Sequence, residues 1–282
     1  MSKKSSARSA HRPAALHRRL RRAFQHSPLG RGWRRGYELE LMHRAMGFAA
    51  LGMLTLAPLL IVVAAADPDN GRGFAEWLSE GIGVSQASRG EVKQLFAQPQ
   101  RALQSTTAFG LAALAVFGLA FSSAVQTGYE KVWDLPAAHW GTMWRHVLWL
   151  ALLTGYLYVS ATVTLEPEPV ASAWVRLLIT VASSVLFFWW SQRLLLAGRV
   201  GWGAVLPGAV STVLGLAGLR VFSQLVFSPL IATNAVTYGP IGTVLVIQSW
   251  LVGVGFVVFG GALVGRILHE ERPRLVRAMR RQ

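Results

Sequence analysis

Long runs of apolar residues, separated by short polar segments, fill the chain from about residue 45 to a basic C-terminal tail. The longest uncharged run, residues 221–265, contains 45 residues. Charged residues make up about a quarter of an ordinary soluble domain, but they make up only 15% of this chain. A helix of about 20 apolar residues crosses the hydrocarbon core of a bilayer, which is about 30 Å thick. The pattern therefore predicts an all-α, polytopic membrane protein.

Six segments are apolar and long enough to be membrane spans. Turn signals follow the first and the third of them, at residues 67–71 and 166–169, because clusters of Pro, Gly and Asn interrupt regular structure. The predicted spans are residues 45–66, 105–125, 144–165, 171–192, 201–226 and 238–265. The chain then consists of a basic tail over 1–44, a membrane domain over 45–266 and a second basic tail over 267–282.

Basic residues are distributed unequally between the two sides of the predicted bundle. The tail 1–44 holds 12 Lys and Arg, and residues 266–282 hold 6. The loops on the same side add Lys131, Arg193 and Arg199. On the opposite side, residues 67–104 carry four basic and five acidic residues. Because cytoplasmic loops are enriched in Lys and Arg, we expect both termini to lie in the cytoplasm.

Two segments outside the predicted spans have amphipathic patterns. In residues 67–104, Phe74, Trp77 and Leu78 recur at helical spacing. This predicts an amphipathic helical outer loop that serves as a lid or packs on the spans. Residues 13–26 predict a second amphipathic helix, whose polar faces carry Arg18, Arg19, Arg21 and Arg22. Such a helix binds anionic lipid headgroups, and the alternative is a disordered tail that only sets topology. No aromatic stacking platform accompanies the charge, so nucleic acid is not an expected partner.

A few polar and helix-breaking residues lie inside the predicted spans. Pro58 in span one and Pro207-Gly208 in span five predict kinks in those helices. Intramembrane Ser and Gln side chains, such as Gln248, link helices by hydrogen bonds or carry function. Small residues spaced four apart predict close contacts between helices of one protomer; the pairs are Gly118/Ser122, Ser211/Gly215 and Gly261/Gly265.

Two arginines near the predicted outer ends of spans four and five are candidate substrate contacts, together with Gln248. Arg176 is close enough to the membrane surface for its side chain to reach the headgroups. Arg220 lies deeper, where a charged group needs a polar partner. We expect Arg220 to face the bundle interior and to meet Gln224, a Glu of the turn before span four, or water.

The sequence offers no catalytic or metal-binding motif. Five of its seven histidines lie in the basic tails, and His139 and His146 have no acidic residue at ligand spacing. The chain has no cysteine, and it contains no nucleophile elbow, Walker A motif or dinucleotide-binding fingerprint. We therefore expect a protein that is not an enzyme and that needs no cofactor or metal ion.

Several short motifs occur in an order that is similar to one family of membrane proteins. After span two, residues 124–136 read AVQTGYEKVWDLP, similar to a family loop with the pattern ALxxALNxxWxxP. Span one ends in TLAP, span five opens with LPGA, and span six begins YGPIG. The motif positions are Pro58, Gln126, Trp133, Pro136, Pro207, Gly208, Tyr238, Gly239, Gly242, Trp250 and Gly261. Over about residues 42–266 the chain thus resembles the YihY/BrkB family of bacterial inner-membrane proteins, once called ribonuclease BN.

The resemblance implies a multi-pass protein of the bacterial plasma membrane that moves a lipid or another amphiphile. The alternative is a non-transporting scaffold that recruits partners or anionic lipid through its basic tails; ribonuclease activity is not expected. Three positions depart from the family pattern, because its Asn, Glu and Tyr fall on Glu130, Leu263 and Leu51. A family activity that needs those polar residues would be altered or lost here. The resemblance leaves the substrate and the oligomeric state open.

Overall fold

The computed structural model describes residues 35–37, 39–66, 107–137, 143–163, 170–227, 230 and 240–279. Within these residues the chain is all-helical and contains no strand, which confirms the predicted fold class. Six long helices coincide with the predicted spans: α1 (Leu41–Ala66), α2 (Thr107–Val132), α3 (Met143–Val163), α4 (Val170–Leu195), α5 (Trp202–Leu225) and α6 (Pro240–Met279).

Four of these helices contain a described stretch that is long and apolar enough to cross a membrane. The stretches are Gly110–Val132 in α2, Trp174–Leu195 in α4, Trp202–Leu225 in α5 and Ile241–Glu271 in α6. The chain is therefore a multi-pass membrane protein, while the count of six spans stays a prediction for α1 and α3. The amphipathic outer loop and the helix over residues 13–26 lie outside the described residues.

Helix α2 is longer than the span predicted for it. It continues to Val132, so Gln126 and Glu130, which the sequence placed in a loop, lie on the helix. Both side chains are buried, at 5% and 3% exposure. Because most helical stability in proteins comes from tertiary packing, burial of these residues keeps the last turns of α2 helical.

Helix α6 also extends beyond its predicted span. It runs on to Met279, through most of the segment assigned to the C-terminal basic tail. Arg266 and Glu270, spaced four residues apart, form an ion pair with a 2.8 Å separation on its first additional turn. Pairs at this spacing face each other on a helix and stabilise it, so the helix does not end at the last apolar residue.

The helices contact one another in a closed order. α1 packs between α2 and α6, α6 packs on α5, and α5 packs on α4, while α3 lies between α4 and α2.

The start of α1, the end of α2, the end of α4 and residue 266 of α6 meet at one end of the bundle. We call it the basic end, because Arg35, Arg193, Arg199 and Arg266 lie there. The opposite end is called the far end.

Aromatic side chains fill the core near the basic end. Phe48 of α1 meets Phe121 of α2 with ring centroids 4.9 Å apart, and Phe259 of α6 lies 6.0 Å from both Phe48 and Tyr129. These contacts have edge-to-face geometry, which aromatic pairs prefer over direct stacking. The rings thereby hold α1, α2 and α6 together as one packed unit.

Helices α5 and α6 approach so closely that their backbones touch. A Cβ atom placed on Gly261 would lie 2.2 Å from Thr212 Oγ1, and one on Gly265 would lie 2.8 Å from the Gly208 Cα. A Cβ on Gly215 would lie 2.6 Å from a methyl carbon of Val257. Small residues allow such approach between membrane helices. The close contacts predicted at Gly215, Gly261 and Gly265 are thus confirmed.

Helix α4 separates from its neighbours toward the far end. From residue 174 to residue 183, every side chain is exposed except that of Arg176, which is half-buried. We call this segment the far half of α4. Nearer the basic end, Ser191, Gln192 and Leu195 are all buried. The helix therefore belongs to the packed core at one end only.

We predict that Gly261→Ala lowers the free energy of unfolding by about 1–3 kcal/mol, because overpacking a tight contact costs that much. Gly260→Ala is the matched control, since nothing lies within 4 Å of a Cβ placed at that neighbouring glycine. Denaturant unfolding of both variants in detergent measures the difference. Equal effects of the two substitutions would contradict the observed packing of α5 on α6.

Candidate functional site

A stripe of buried polar side chains runs along one face of α2 toward the basic end. Ser122, Gln126 and Glu130 are spaced four residues apart, so they share a face of the helix. The Ser122 hydroxyl lies 2.8 Å from His146 Nδ1 of α3. The Gln126 amide nitrogen donates to Glu130 Oε1 over 2.9 Å. Two separate hydrogen bonds therefore lie along this face, one to α3 and one to a buried carboxylate of α2.

Glu130 forms an ion pair with Arg199, which follows the end of α4. The carboxylate side chain is 4% exposed, whereas the arginine side chain is 27% exposed. Arg199 also donates to the Leu196 carbonyl over 3.1 Å and to the Pro136 carbonyl over 2.7 Å. A charge buried at this depth requires a partner, and this one arginine ties the ends of α2 and α4 together.

Helix α2 ends in a left-handed turn that is held by α6. The Leu135 amide donates to the Glu130 carbonyl over 2.8 Å, and Asp134 adopts a φ of 54°. This is the geometry of a Schellman C-cap with Asp in the position that glycine usually takes. Arg266 of α6 donates to the Val132 carbonyl over 2.7 Å and lies 3.7 Å from the Asp134 carboxylate. The arginine thus satisfies a carbonyl that the helix leaves without a donor.

Helix α4 ends in a turn of the same kind. The Gly198 amide donates to the Arg193 carbonyl over 3.0 Å, with Ala197 at a φ of 59° and Gly198 at 70°. The Arg193 guanidinium returns to donate to the carbonyls of Gly198 and Val200. It also lies over the Trp202 ring, 5.1 Å from the centroid, where a cation–π attraction adds to the hydrogen bonds.

Arginine side chains at the basic end therefore have specific partners within the structure. Cations are stabilised at helix C-termini, where the helix dipole is negative. Arg193, Arg199 and Arg266 each donate to backbone carbonyls at or just beyond the end of α2 or α4. Arg35 pairs with Glu270 on α6 and so connects the segment before α1 to the same cluster.

Other polar residues of the spans link neighbouring helices, as predicted. The Tyr156 and Ser184 hydroxyls are 2.8 Å apart and join α3 to α4. The Trp149 indole donates to Ser191 between the same two helices. Thr55 of α1 donates to the Phe117 carbonyl of α2 over 3.1 Å. In these positions Ser and Thr act as interhelical hydrogen-bonding groups.

The candidate substrate contacts lie away from the buried stripe. Arg220 and Gln224 are exposed on α5, in the half toward the far end. Neither has a hydrogen bond or ion pair with another described residue, so the expected contact between them is absent there. Arg176 is half-buried on α4, and Gln248 is half-buried on α6. The structure does not bring these four side chains together into one site.

The described motif positions are spread over four helices and the turn after α2. Pro58 and Pro207 lie inside α1 and α5. Gly208 and Gly261 face each other across the contact of α5 and α6. At the basic end lie Gln126, Trp133 and Pro136, and Gly242 and Trp250 lie on α6. Tyr238 and Gly239 are outside the described residues.

The three departures from the family pattern have different surroundings. Leu263 is 4% exposed in the core, and Leu51 packs against the same hydrophobic cluster. Glu130 carries the ion pair with Arg199. Sequence reasoning missed this pair because it treated Arg199 only as a topology signal. The signal available in the sequence was Glu130 itself, an acidic residue that follows an apolar span and stands beside basic residues. Such a residue needs a partner if it is buried.

A comparison with protein families shows which family the chain belongs to. A family model described as virulence factor BrkB matches residues 33–282. The chain belongs to the BrkB family. No curated protein and no solved structure matches it significantly. The match to the BrkB family covers all six helices and the polar stripe, so the resemblance drawn from the motifs is confirmed.

The Glu130–Arg199 pair of this BrkB-family protein leads to an asymmetric prediction. We predict that Arg199→Leu destabilises the protein by about 3 kcal/mol, because it leaves a buried carboxylate without its partner. Glu130→Gln should cost less, since the remaining arginine is more exposed and keeps its carbonyl contacts. Lys131→Ala, at the exposed neighbouring position, is the control. Chemical unfolding in detergent measures all three, and a larger loss for Glu130→Gln than for Arg199→Leu would contradict this account.

Proposed function

We propose that this BrkB-family protein moves a lipid or another amphiphile across or within the bacterial plasma membrane. The observation that supports the proposal is the exposure of α4 on all sides over its far half. One turn of an α-helix takes 3.6 residues, so exposure at nine of the ten positions from 174 to 183 includes every face of the helix. Within the described part of the chain, no neighbouring helix buries these nine side chains.

The exposed surface of the far half is apolar and large. Trp174, Leu178 and Ile179 are exposed at 71%, 68% and 58%. In a bilayer such side chains contact acyl chains, both on the outer side of the bundle and on the side that faces its other helices. The space beside α4 is therefore suited to the tails of a lipid that enters from the membrane.

Helix α5 is also largely exposed toward the far end. From Leu214 to Leu225 only Ser223 is buried, while Arg220 and Gln224 are exposed. A guanidinium at this position can donate to the phosphate or another acceptor of a headgroup. Helices α4 and α5 thus expose apolar side chains, and α5 also exposes a charged group near the far end. This combination fits an amphiphile, which has an apolar tail and a polar headgroup.

The proposal includes no catalytic step, cofactor or nucleic acid. Its partners are membrane lipids, with anionic headgroups at the cytoplasmic face bound by the tail that carries Arg18, Arg19, Arg21 and Arg22. The alternative is a scaffold that does not transport. A scaffold needs no lateral opening beside α4, and it predicts no lipid movement in reconstituted vesicles.

We predict that the purified protein accelerates the movement of a tail-labelled anionic phospholipid between the leaflets of proteoliposomes. Arg220→Leu should reduce this rate at least about tenfold, the effect of losing about 1.4 kcal/mol of interaction with the headgroup. Arg220→Lys should retain part of the rate. Neither substitution should change the melting temperature, because Arg220 has no polar partner among the described residues. Equal rates in protein-free vesicles and in vesicles with the wild-type protein would favour the scaffold.

The orientation is also part of the proposal. The positively charged residues of the basic end lie where the segment before α1 meets residues 266–270 of α6, and positive charge favours the cytoplasmic side. We predict that tags at Met1 and Gln282 are protected from reagents added outside intact cells, and that a tag inserted at Asn70 or Glu168 is labelled. External labelling of either terminus would contradict the assignment of spans.

A further inference from the structure

Gln192 on α4 is fully buried, yet its amide has no hydrogen-bond partner among the described residues. This holds for both the amide nitrogen and the amide oxygen. An unpartnered polar group in an apolar interior destabilises a protein, and it is more costly in a membrane, where water does not replace the missing partner. A leucine at this position would avoid that cost. The glutamine is therefore not explained by the stability of the structure as it stands.

The amide is adjacent to the closest contact between α5 and α6. A Cβ placed on Gly208 would lie 3.1 Å from Gln192 Oε1 and 3.3 Å from the Gly261 carbonyl oxygen. The side-chain oxygen of Gln192 and the carbonyl oxygen of Gly261 thus lie beside the face of Gly208 that carries no side chain. The neighbouring residue Ser191 is different, because it accepts a hydrogen bond from Trp149. Of these two adjacent polar residues, only Gln192 has no side-chain hydrogen-bond partner among the described residues.

The chemistry of the amide limits what it can bind. A primary amide is neutral and offers both donors and acceptors. A charged group would lose its hydration at this fully buried position, and the charges of Glu130 and Arg199 at the basic end already bind each other. A neutral hydroxyl group, which donates and accepts, satisfies both ends of the amide.

We propose that Gln192 contacts a hydroxyl group of the headgroup of the transported amphiphile and so selects hydroxylated headgroups. This inference rests on the proposed function and specifies its substrate class. Gln192 follows Ser183, the last residue of the far half, by nine positions, which is about 13 Å along the helix axis. An amphiphile that enters beside the far half passes the Tyr156–Ser184 contact before it reaches the amide.

The test measures headgroup-dependent stabilisation of the full-length protein in a nonionic detergent. Short-chain phosphatidylglycerol, whose headgroup carries hydroxyls, is compared with phosphatidylethanol, which has the same phosphodiester charge and no headgroup hydroxyl. A ligand that binds only the folded state raises the melting temperature. We expect phosphatidylglycerol to raise the wild-type melting temperature at least about 3 °C more than phosphatidylethanol does.

Gln192→Leu should abolish the difference between the two lipids. Its melting temperature without lipid should also exceed that of the wild type, because an unpartnered polar group has been removed. Gln192→Met, of similar length and also neutral, should behave in the same way. Ser249→Ala is the control, since the exposed Ser249 hydroxyl donates only to the Leu245 carbonyl of its own helix. This variant should keep the wild-type preference.

Three outcomes would overturn the inference. The wild type could respond equally to both lipids, or Gln192→Leu could retain the preference. Alternatively, both Gln192 variants could be less stable than the wild type or fail to fold, which would give the amide a structural role. Failure of the transport proposal is distinguishable, because it would appear as absent lipid movement in proteoliposomes while the headgroup preference in detergent persisted.

Discussion

Every backbone carbonyl at the end of a membrane helix needs a hydrogen-bond donor, and this requirement organises the basic end of the bundle. Apolar surroundings supply no water to replace a missing partner. Arg266, which lies on α6, binds the last carbonyl of α2, and Arg199, which follows α4, binds the Pro136 carbonyl beyond that same helix end. Since each donor comes from a different part of the chain than its acceptor, these bonds also hold the helices together. Arg199 and Arg266 therefore determine how α2, α4 and α6 meet.

The bundle combines two kinds of packing. Between α5 and α6, glycines bring the two backbones into contact, and Thr212 fits directly against Gly261. Dispersion contacts of this kind replace the hydrophobic effect, which does not drive association between helices inside a bilayer. Over the far half of α4, by contrast, nine of the ten side chains are exposed. The bundle thus combines a tightly packed pair, α5 and α6, with a helix, α4, whose fully buried residues lie toward the basic end.

Five of the nine buried polar side chains among the described residues lie on α2 and α4. The stripe of α2 ends at Glu130, where the family pattern has Asn, and this protein retains a hydrogen-bonding side chain there together with a compensating arginine. The departure from the family pattern therefore changes the charge of the position while a polar contact is kept. Gln192 lies on α4 itself and has no such compensation. Polar groups that lower stability are typical of functional positions, where a residue is kept for its function although it departs from the usual rule that buried polar groups are hydrogen-bonded.

The apolar pattern by itself determined that the chain is an all-helical membrane protein, and it located all six helices, because the length and polarity of a span follow from bilayer thickness alone. It also indicated the close glycine contacts, since small residues four apart share a helix face. It did not determine that α2 continues through Glu130 or that α6 continues past Gly265, because the burial of Glu130 and the ion pairs of Arg266 and Glu270 stabilise those added turns. The Glu130–Arg199 pair joins residues 69 positions apart, and no periodic pattern encodes such a contact. Likewise, only the tertiary structure decided that Arg220 is exposed and that Gln192 is buried without a partner, because both depend on which helices lie beside them.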